Sequence, residues 1–297
     1  MTRGPGPSHA LKLVVVMLLW AACFPLITLG LTSSPHLTFA AMRAILAGAA
    51  LVALGVILRR PLPSAPAAWG WIALIGLGAT TLGFLGMVHA AEFVAHGMAT
   101  VIANTQPLLA AAIAYAFLGE RLGARGYAGL ALGFAGIALI AASRLLPGGG
   151  YTYALGIAYI VLAALGISLG NVIMKRVAGS VDPVMAMGLQ LLLGAVPLAL
   201  AASVFEEPLS VRWSTEFGLV LASLALAGTA LPFWLWFLVL EKTELSRANA
   251  YTFLVPLFGL AIGLAFFDEA IDAFAAAGAA LAVSGTWWAQ AAATSRR

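Results

Sequence analysis

Long apolar runs recur along this chain, separated by short polar clusters rich in charge, Pro and Gly. Ten runs stand out: 13–32, 37–58, 68–91, 97–118, 126–143, 153–174, 183–205, 217–240, 248–267 and 274–291. Each is about the length a bilayer-crossing helix needs, roughly 20 mostly apolar residues. The runs are continuously apolar and do not alternate every second residue. That favours helices over the short alternating strands of a membrane barrel. The expected fold is therefore an all-α membrane protein with ten transmembrane helices and short loops that hold no soluble domain.

Composition agrees. The chain has 297 residues, 63% hydrophobic and 9% charged, with a mean hydropathy of +1.03. A water-soluble core of this size cannot hide so much apolar surface. The first run follows a short basic start (Arg3, Lys12) and is too long for a signal-peptide core, so it reads as an uncleaved span. The lone cysteine, Cys23, allows no intrachain disulfide framework.

Basic residues set an orientation. With the N-terminus in the cytoplasm, twelve of the 15 Lys and Arg fall at cytoplasmic ends, among them Arg59, Arg60, Arg121, Arg125, Lys175, Arg176, Lys242 and Arg247. Only Arg144 and Arg212 fall outside, and Arg43 lies within a run. This bias puts both termini in the cytoplasm. It also accounts for the pI near 9.5 without invoking nucleic acid, since the charges form no basic stripe.

One signature occurs twice, 149 residues apart. Pro107 and Glu120, followed by Gly129 and Gly136, reappear as Pro256 and Glu269, followed by Gly278 and Gly285. Glu92 and Glu241 share the offset. The expected units are 1–146 and 151–297, joined through Pro147-Gly148-Gly149-Gly150. Each holds five spans, an odd number, so the second enters the membrane inverted. Inverted repeats are a transporter architecture, with a central cavity between the halves.

Several motifs resemble those of the drug/metabolite transporter superfamily. Trp20-Ala21-Ala22-Cys23-Phe24-Pro25 is similar to its first-span W-G-x-x-F/P pattern, with Ala21 for the glycine. Phe39 through Arg43 resembles the second-span F-x-x-x-R. Pro107 through Glu120-Arg121, and again Pro256 through Glu269, resemble a P-x(12)-E-R/K element, with Ala270 for the second basic residue. The resemblance covers nearly the whole chain and points to the EamA branch, most of all to its aromatic amino-acid exporters. It implies alternating-access export across the inner membrane.

Candidate site residues follow from the breaks. Pro107 and Pro256 remove helix hydrogen bonds and free the carbonyls of Ala103 and Thr252. Freed groups in lipid must face other helices or a wet cavity. Asn104, Thr105 and Gln106 flank one break, and Asn249, Tyr251 and Thr252 the other. They read equally well as a midplane site or as interhelical hydrogen bonding. Trp20, Phe24, Tyr159, Trp234 and Trp236 lie deep enough to wall an amphipathic cavity. Gln190 is a further polar candidate, and Asn171 sits close enough to Lys175 to be interfacial. Arg43 could fork onto a substrate carboxylate or tie helices together. His89 could couple protons or simply sit satisfied at an interface. Pro25, Pro107 and Pro256 are hinge candidates. Glu120 and Glu269 are either gate contacts to basic loop residues or structural charges at the membrane surface. Gly126, Gly129, Gly133 and Gly136 read as close helix packing, within one chain or between chains.

All 11 acidic residues lie at run ends or in loops. A carboxylate mid-span costs roughly 2.5–3.5 kcal/mol and is a mark of proton-coupled pumps. Its absence favours facilitated export of amino acids and similar small amphipathic metabolites. A proton-coupled multidrug or metabolite efflux transporter is the alternative. No metalloprotease, hydrolase or Walker motif is present, so no enzyme, metal or cofactor is expected. The expected partners are the small-molecule substrate and the lipid bilayer, with the chain a monomer or weak homodimer.

Overall fold

The structure is a computed structural model and describes residues 7–93, 106–120, 123–142, 151–266 and 273–291. Among them every regular element is helical and no strand occurs. The first half comprises α1 (Pro7–Leu31), α2 (His36–Ile57), α3 (Pro66–Ile75), α4 (Gly83–Phe93), α5 (Gln106–Leu118) and α6 (Ala124–Ala142). The second comprises α7 (Tyr151–Val177), α8 (Pro183–Phe205), α9 (Thr215–Ala225), α10 (Leu231–Leu240), α11 (Leu245–Ala250), α12 (Leu254–Phe266) and α13 (Ala273–Ala291).

Local chemistry sets several starts. Pro66 and Pro183 occupy first helical positions, where a missing N–H costs nothing. The Asp182 carboxylate accepts from Val184 and Met185 N–H at 3.0 Å each. Ser214 Oγ accepts from Phe217 N–H at 3.0 Å. The N-terminus of α2 follows Pro35 and has no side-chain cap from its own segment. Glu206, at the end of α8, supplies it instead, accepting from Leu37 and Thr38 N–H at 2.8 Å each and from Thr38 Oγ1 at 2.9 Å.

Two π-helical turns were not foreseen. Gly76–Leu82 separates α3 from α4, and Leu226–Ala230 separates α9 from α10. One 149-residue shift carries the first onto the second. A third irregularity, the 3₁₀ turn Tyr251–Phe253, divides α11 from α12.

Seven helical stretches among the described residues are long and apolar enough to cross a membrane: His9–Leu31, His36–Ile57, Pro66–His89, Ala158–Val177, Pro183–Phe205, Thr215–Leu240 and Leu245–Phe266. They match the first, second, third, sixth, seventh, eighth and ninth expected spans. The fourth, fifth and tenth correspond to α5, α6 and α13, which fall outside that count, and 97–105 of the fourth lies outside the described residues. Large apolar side chains such as Val196, Leu200, Leu219 and Leu264 point outward, as expected where lipid is the solvent.

The two most extensive helix pairs are α6 with α13 and α2 with α8. Both join a helix to its counterpart one period later. Glycine makes the approach close. A Cβ at Gly136 would lie 2.5 Å from the Gly278 carbonyl oxygen, and one at Gly285 would lie 2.6 Å from that of Gly129. In the other pair, a Cβ at Gly48 would lie 2.9 Å from the Gly188 carbonyl. The glycine-rich α6 therefore packs against α13 within one chain.

Two outcomes follow. Gly285→Val should cost at least ~1–3 kcal/mol of stability, because the obstruction is backbone and cannot rotate away; unchanged thermal unfolding of the purified protein would contradict this crossing. Glu206→Ala should cost ~1–2 kcal/mol by leaving the α2 terminus uncapped. The same measurement checks it.

Candidate functional site

The polar residues beside the fourth- and ninth-span breaks converge. Gln106, the first residue of α5, donates from Nε2 to Asn249 Oδ1 of α11 at 3.2 Å. Ser168 Oγ of α7 donates to the Gln106 carbonyl at 3.4 Å. Asn249 is 0% exposed, and among the described residues its Nδ2 has no hydrogen-bond partner. A buried donor left unpaired costs about 1–3 kcal/mol, so it marks a place where an acceptor would bind. Pro107 follows Gln106 in the first turn of α5, while Asn104, Thr105 and Ala103 lie outside the described residues. Pro256 is the third residue of α12, directly after the 3₁₀ turn, so the ninth-span break takes the form of a tightened turn. Thr252 Oγ1 donates to the Asn249 carbonyl at 2.7 Å, a bond within its own segment.

An aromatic cluster lies one helical turn further along α7, reached through Asn171, three residues after Ser168. Trp20 of α1 meets Trp236 at 5.6 Å between ring centroids and Phe233 edge-on at 6.4 Å. Trp234, Tyr251, Leu254 and Phe258 are partly buried against the large hydrophobic core that includes Trp236. Trp236 is 1% exposed and donates from Nε1 to Asn171 Oδ1 at 3.1 Å. It backs the cluster rather than forming its surface. Asn171, one turn before Lys175, is buried with it. The backbone of Phe24 runs within α1, but its side chain lies outside the described residues.

Other candidates go elsewhere. His89 stacks on Tyr159 with centroids 5.2 Å apart, and its Nδ1 lies 3.0 Å from the Leu85 carbonyl oxygen. Because a carbonyl only accepts, that nitrogen carries the proton. Gln190 is 0% exposed, and its Oε1 accepts from Thr80 Oγ1 at 2.8 Å inside the first π turn. Arg43 donates from Nε to Thr229 Oγ1 at 2.6 Å and from Nη2 to the Gly228 carbonyl at 3.3 Å, both in the second π turn. Its guanidinium also reaches Cys23 Sγ at 3.8 Å and lies over the Phe84 ring at 4.7 Å. Of the two readings of Arg43, the contacts are those of a tie between helices. Pro25 sits inside an α1 that continues through it.

Among the described residues, Glu120 forms no ion pair with a basic loop residue. Its carboxylate caps α11, accepting from Leu245 N–H at 2.9 Å and from Ser246 N–H and Oγ at 3.0 Å each. Close by, Lys175 Nζ donates to the Leu240 carbonyl at the end of α10 at 2.6 Å. Arg247 pairs with Glu244 at 2.7 Å. One end of the bundle is thus stitched across α5, α7, α10 and α11. Glu269 lies outside the described residues. Among the described residues, no group of three or more His, Cys, Asp or Glu could hold a metal ion.

The sequence reading overlooked the two π turns and the Glu206 cap. A signal existed for the former: Thr80 and Thr229 share the 149-residue offset, but buried threonines in apolar runs attract little notice.

Known proteins share this design. The probable amino-acid metabolite efflux pump of Escherichia coli (strain K12) is 25% identical over 287 residues, 92% of each chain. The uncharacterized transporter YvbV of Bacillus subtilis (strain 168) is 29% identical over 290 residues, spanning 96% of this chain and 92% of the relative. A solved crystal structure at 23% identity superposes with a TM-score of 0.83, covering 95% of this chain and 98% of that one, and so shares the fold. The EamA-like transporter family matches twice, at residues 8–142 and 154–289. With nearly its whole length accounted for, this multi-pass membrane chain belongs to the EamA-like transporter family.

Proposed function

We propose that this transporter exports amino acids, aromatic ones included, across the inner membrane by alternating access. In this reading ten spans form two inverted five-helix repeats, 1–146 and 151–297, with both termini cytoplasmic. The observation that carries it is the Gln106–Asn249 amide pair, linked along α7 through Ser168 and Asn171 to Trp236 and the Trp20 and Phe233 rings. A zwitterionic amino acid has no net charge. Amides and an idle donor suit its polar end, and aromatic faces suit an apolar side chain. The name of the Escherichia coli relative, a probable amino-acid metabolite efflux pump, supports the same substrate class.

Coupling is read from the acids. Glu92 and Glu216 stand in the last and first turns of α4 and α9. None sits mid-helix among the described residues, where a pump's proton carrier belongs. The transport is then driven by the substrate's own gradient. The stitching by Glu120 and Lys175 lies at the end that the positive-inside rule puts in the cytoplasm, which supports a state closed on that side. The His89–Tyr159 pair is the one feature that favours the proton-coupled alternative.

Purified protein in liposomes tests the substrate. Labelled tryptophan or phenylalanine should move faster than across empty vesicles, and equal rates would overturn the proposal. An imposed pH gradient should leave the rate unchanged; acceleration that His89→Gln abolishes would establish the alternative. Trp20→Ala and Asn249→Leu should each raise the half-saturation concentration about tenfold, the effect of losing ~1.4 kcal/mol of binding. Unaltered kinetics in both would remove the site from this place.

A further inference from the structure

The two π turns share a construction. A π turn accommodates an extra residue and disturbs the regular ladder, leaving backbone groups in need of other partners. In the second turn, Thr229 Oγ1 donates to the Leu224 carbonyl at 2.9 Å and accepts from Arg43 Nε. Arg43 Nη2 donates to the Gly228 carbonyl. In the first turn, Thr80 Oγ1 bonds Gln190, and Thr81 Oγ1 donates to the Gly194 carbonyl at 2.7 Å. Thr80 and Thr229 are one period apart. Arg43 stands on α2 and Gln190 on α8, which are counterpart helices. Each turn is therefore held by a long polar side chain from the opposite half of the chain.

The holders differ in kind. Arg43 is cationic, and charge-assisted hydrogen bonds are roughly twice as strong as neutral ones. Gln190 is neutral, and among the described residues its buried Nε2 has no partner. Arg43 also gathers Cys23 of α1, whose Sγ lies 3.4 Å from the Gly228 carbonyl oxygen and 3.2 Å from that of Leu19 in its own helix. Cys23 is three residues from Trp20, and Gly228 is five residues before Phe233. The contact thus joins the two helices that carry the edge-to-face aromatic pair.

We propose that Arg43 and Gln190 are positioning residues for transport, each locking the π-helical joint of the other half. Arg43 locks Leu226–Ala230 against α1 and α2, and Gln190 locks Gly76–Leu82 against α8. Motion of one half against the other must break these contacts, so each lock sets when its joint bends. The inference depends on the transporter assignment and is independent of which solute is carried.

The native protein supplies its own reporter. In detergent or nanodiscs, hydrogen–deuterium exchange is followed for peptides spanning 76–82 and 226–230, together with alkylation of Cys23 by N-ethylmaleimide. Arg43→Gln should speed exchange at 226–230 and alkylation of Cys23 by about tenfold or more, leaving 76–82 unchanged. Gln190→Leu should speed 76–82 and leave 226–230 and Cys23 unchanged. Thr229→Val, which removes only the hydroxyl that Arg43 grips, should reproduce the Arg43→Gln pattern and stands in if that variant fails to fold. A variant that moves both segments alike, or leaves its own segment unchanged, overturns the proposal.

Discussion

Unpaired backbone groups have no water to turn to inside a bilayer, and most of the irregular features of this molecule answer that constraint. A straight helix satisfies itself. Every bend, break or terminus needs a partner brought from elsewhere. Arg43 serves a carbonyl of the second π turn. Glu206 serves the start of α2, Glu120 the start of α11, and Lys175 the end of α10. In each case the donor of help lies on a different helix. Local irregularity is thereby converted into long-range connection, and the charges of Arg43, Glu120, Lys175 and Glu206 are spent on helix termini and a joint.

Packing obeys a complementary rule. Along the helix crossings small residues let backbones touch, as at Gly136 over Gly278 and Gly48 over Gly188. Where they carry bulk, the bulk is aromatic and gathers between α1 and α10. Close glycine crossings give firm frames on two sides of the molecule. The aromatic cluster and the amide pair occupy the region where the helices are interrupted.

Much of this was legible in the sequence. Continuous apolar runs announced the helices, and the shared offset of Pro107 and Pro256 announced the recurring order of elements. Gln106 and Asn249 were picked out because they flank prolines, and they do meet. What stayed hidden depends on distance in space rather than along the chain. Glu206 reads as a loop acid until the α2 terminus is seen beside it. Asn171, four residues before Lys175, gives no sign along the chain that its partner is Trp236. The π turns escaped because a helix with one extra residue has the same apolar composition as one without.

The α6–α13 crossing carries an implication about pairing. Gly136 meets Gly278, and Gly285 meets Gly129; Gly129 and Gly136 are the period-shifted equivalents of Gly278 and Gly285. Each helix offers the other what it receives, as in the isologous interface of a two-fold dimer. A single helix of this type would be self-complementary. A chain of half this length would carry one such face and could pair with a second copy through it. The charged holder of one π turn and the neutral holder of the other are a difference that no symmetric pair of identical chains could have kept.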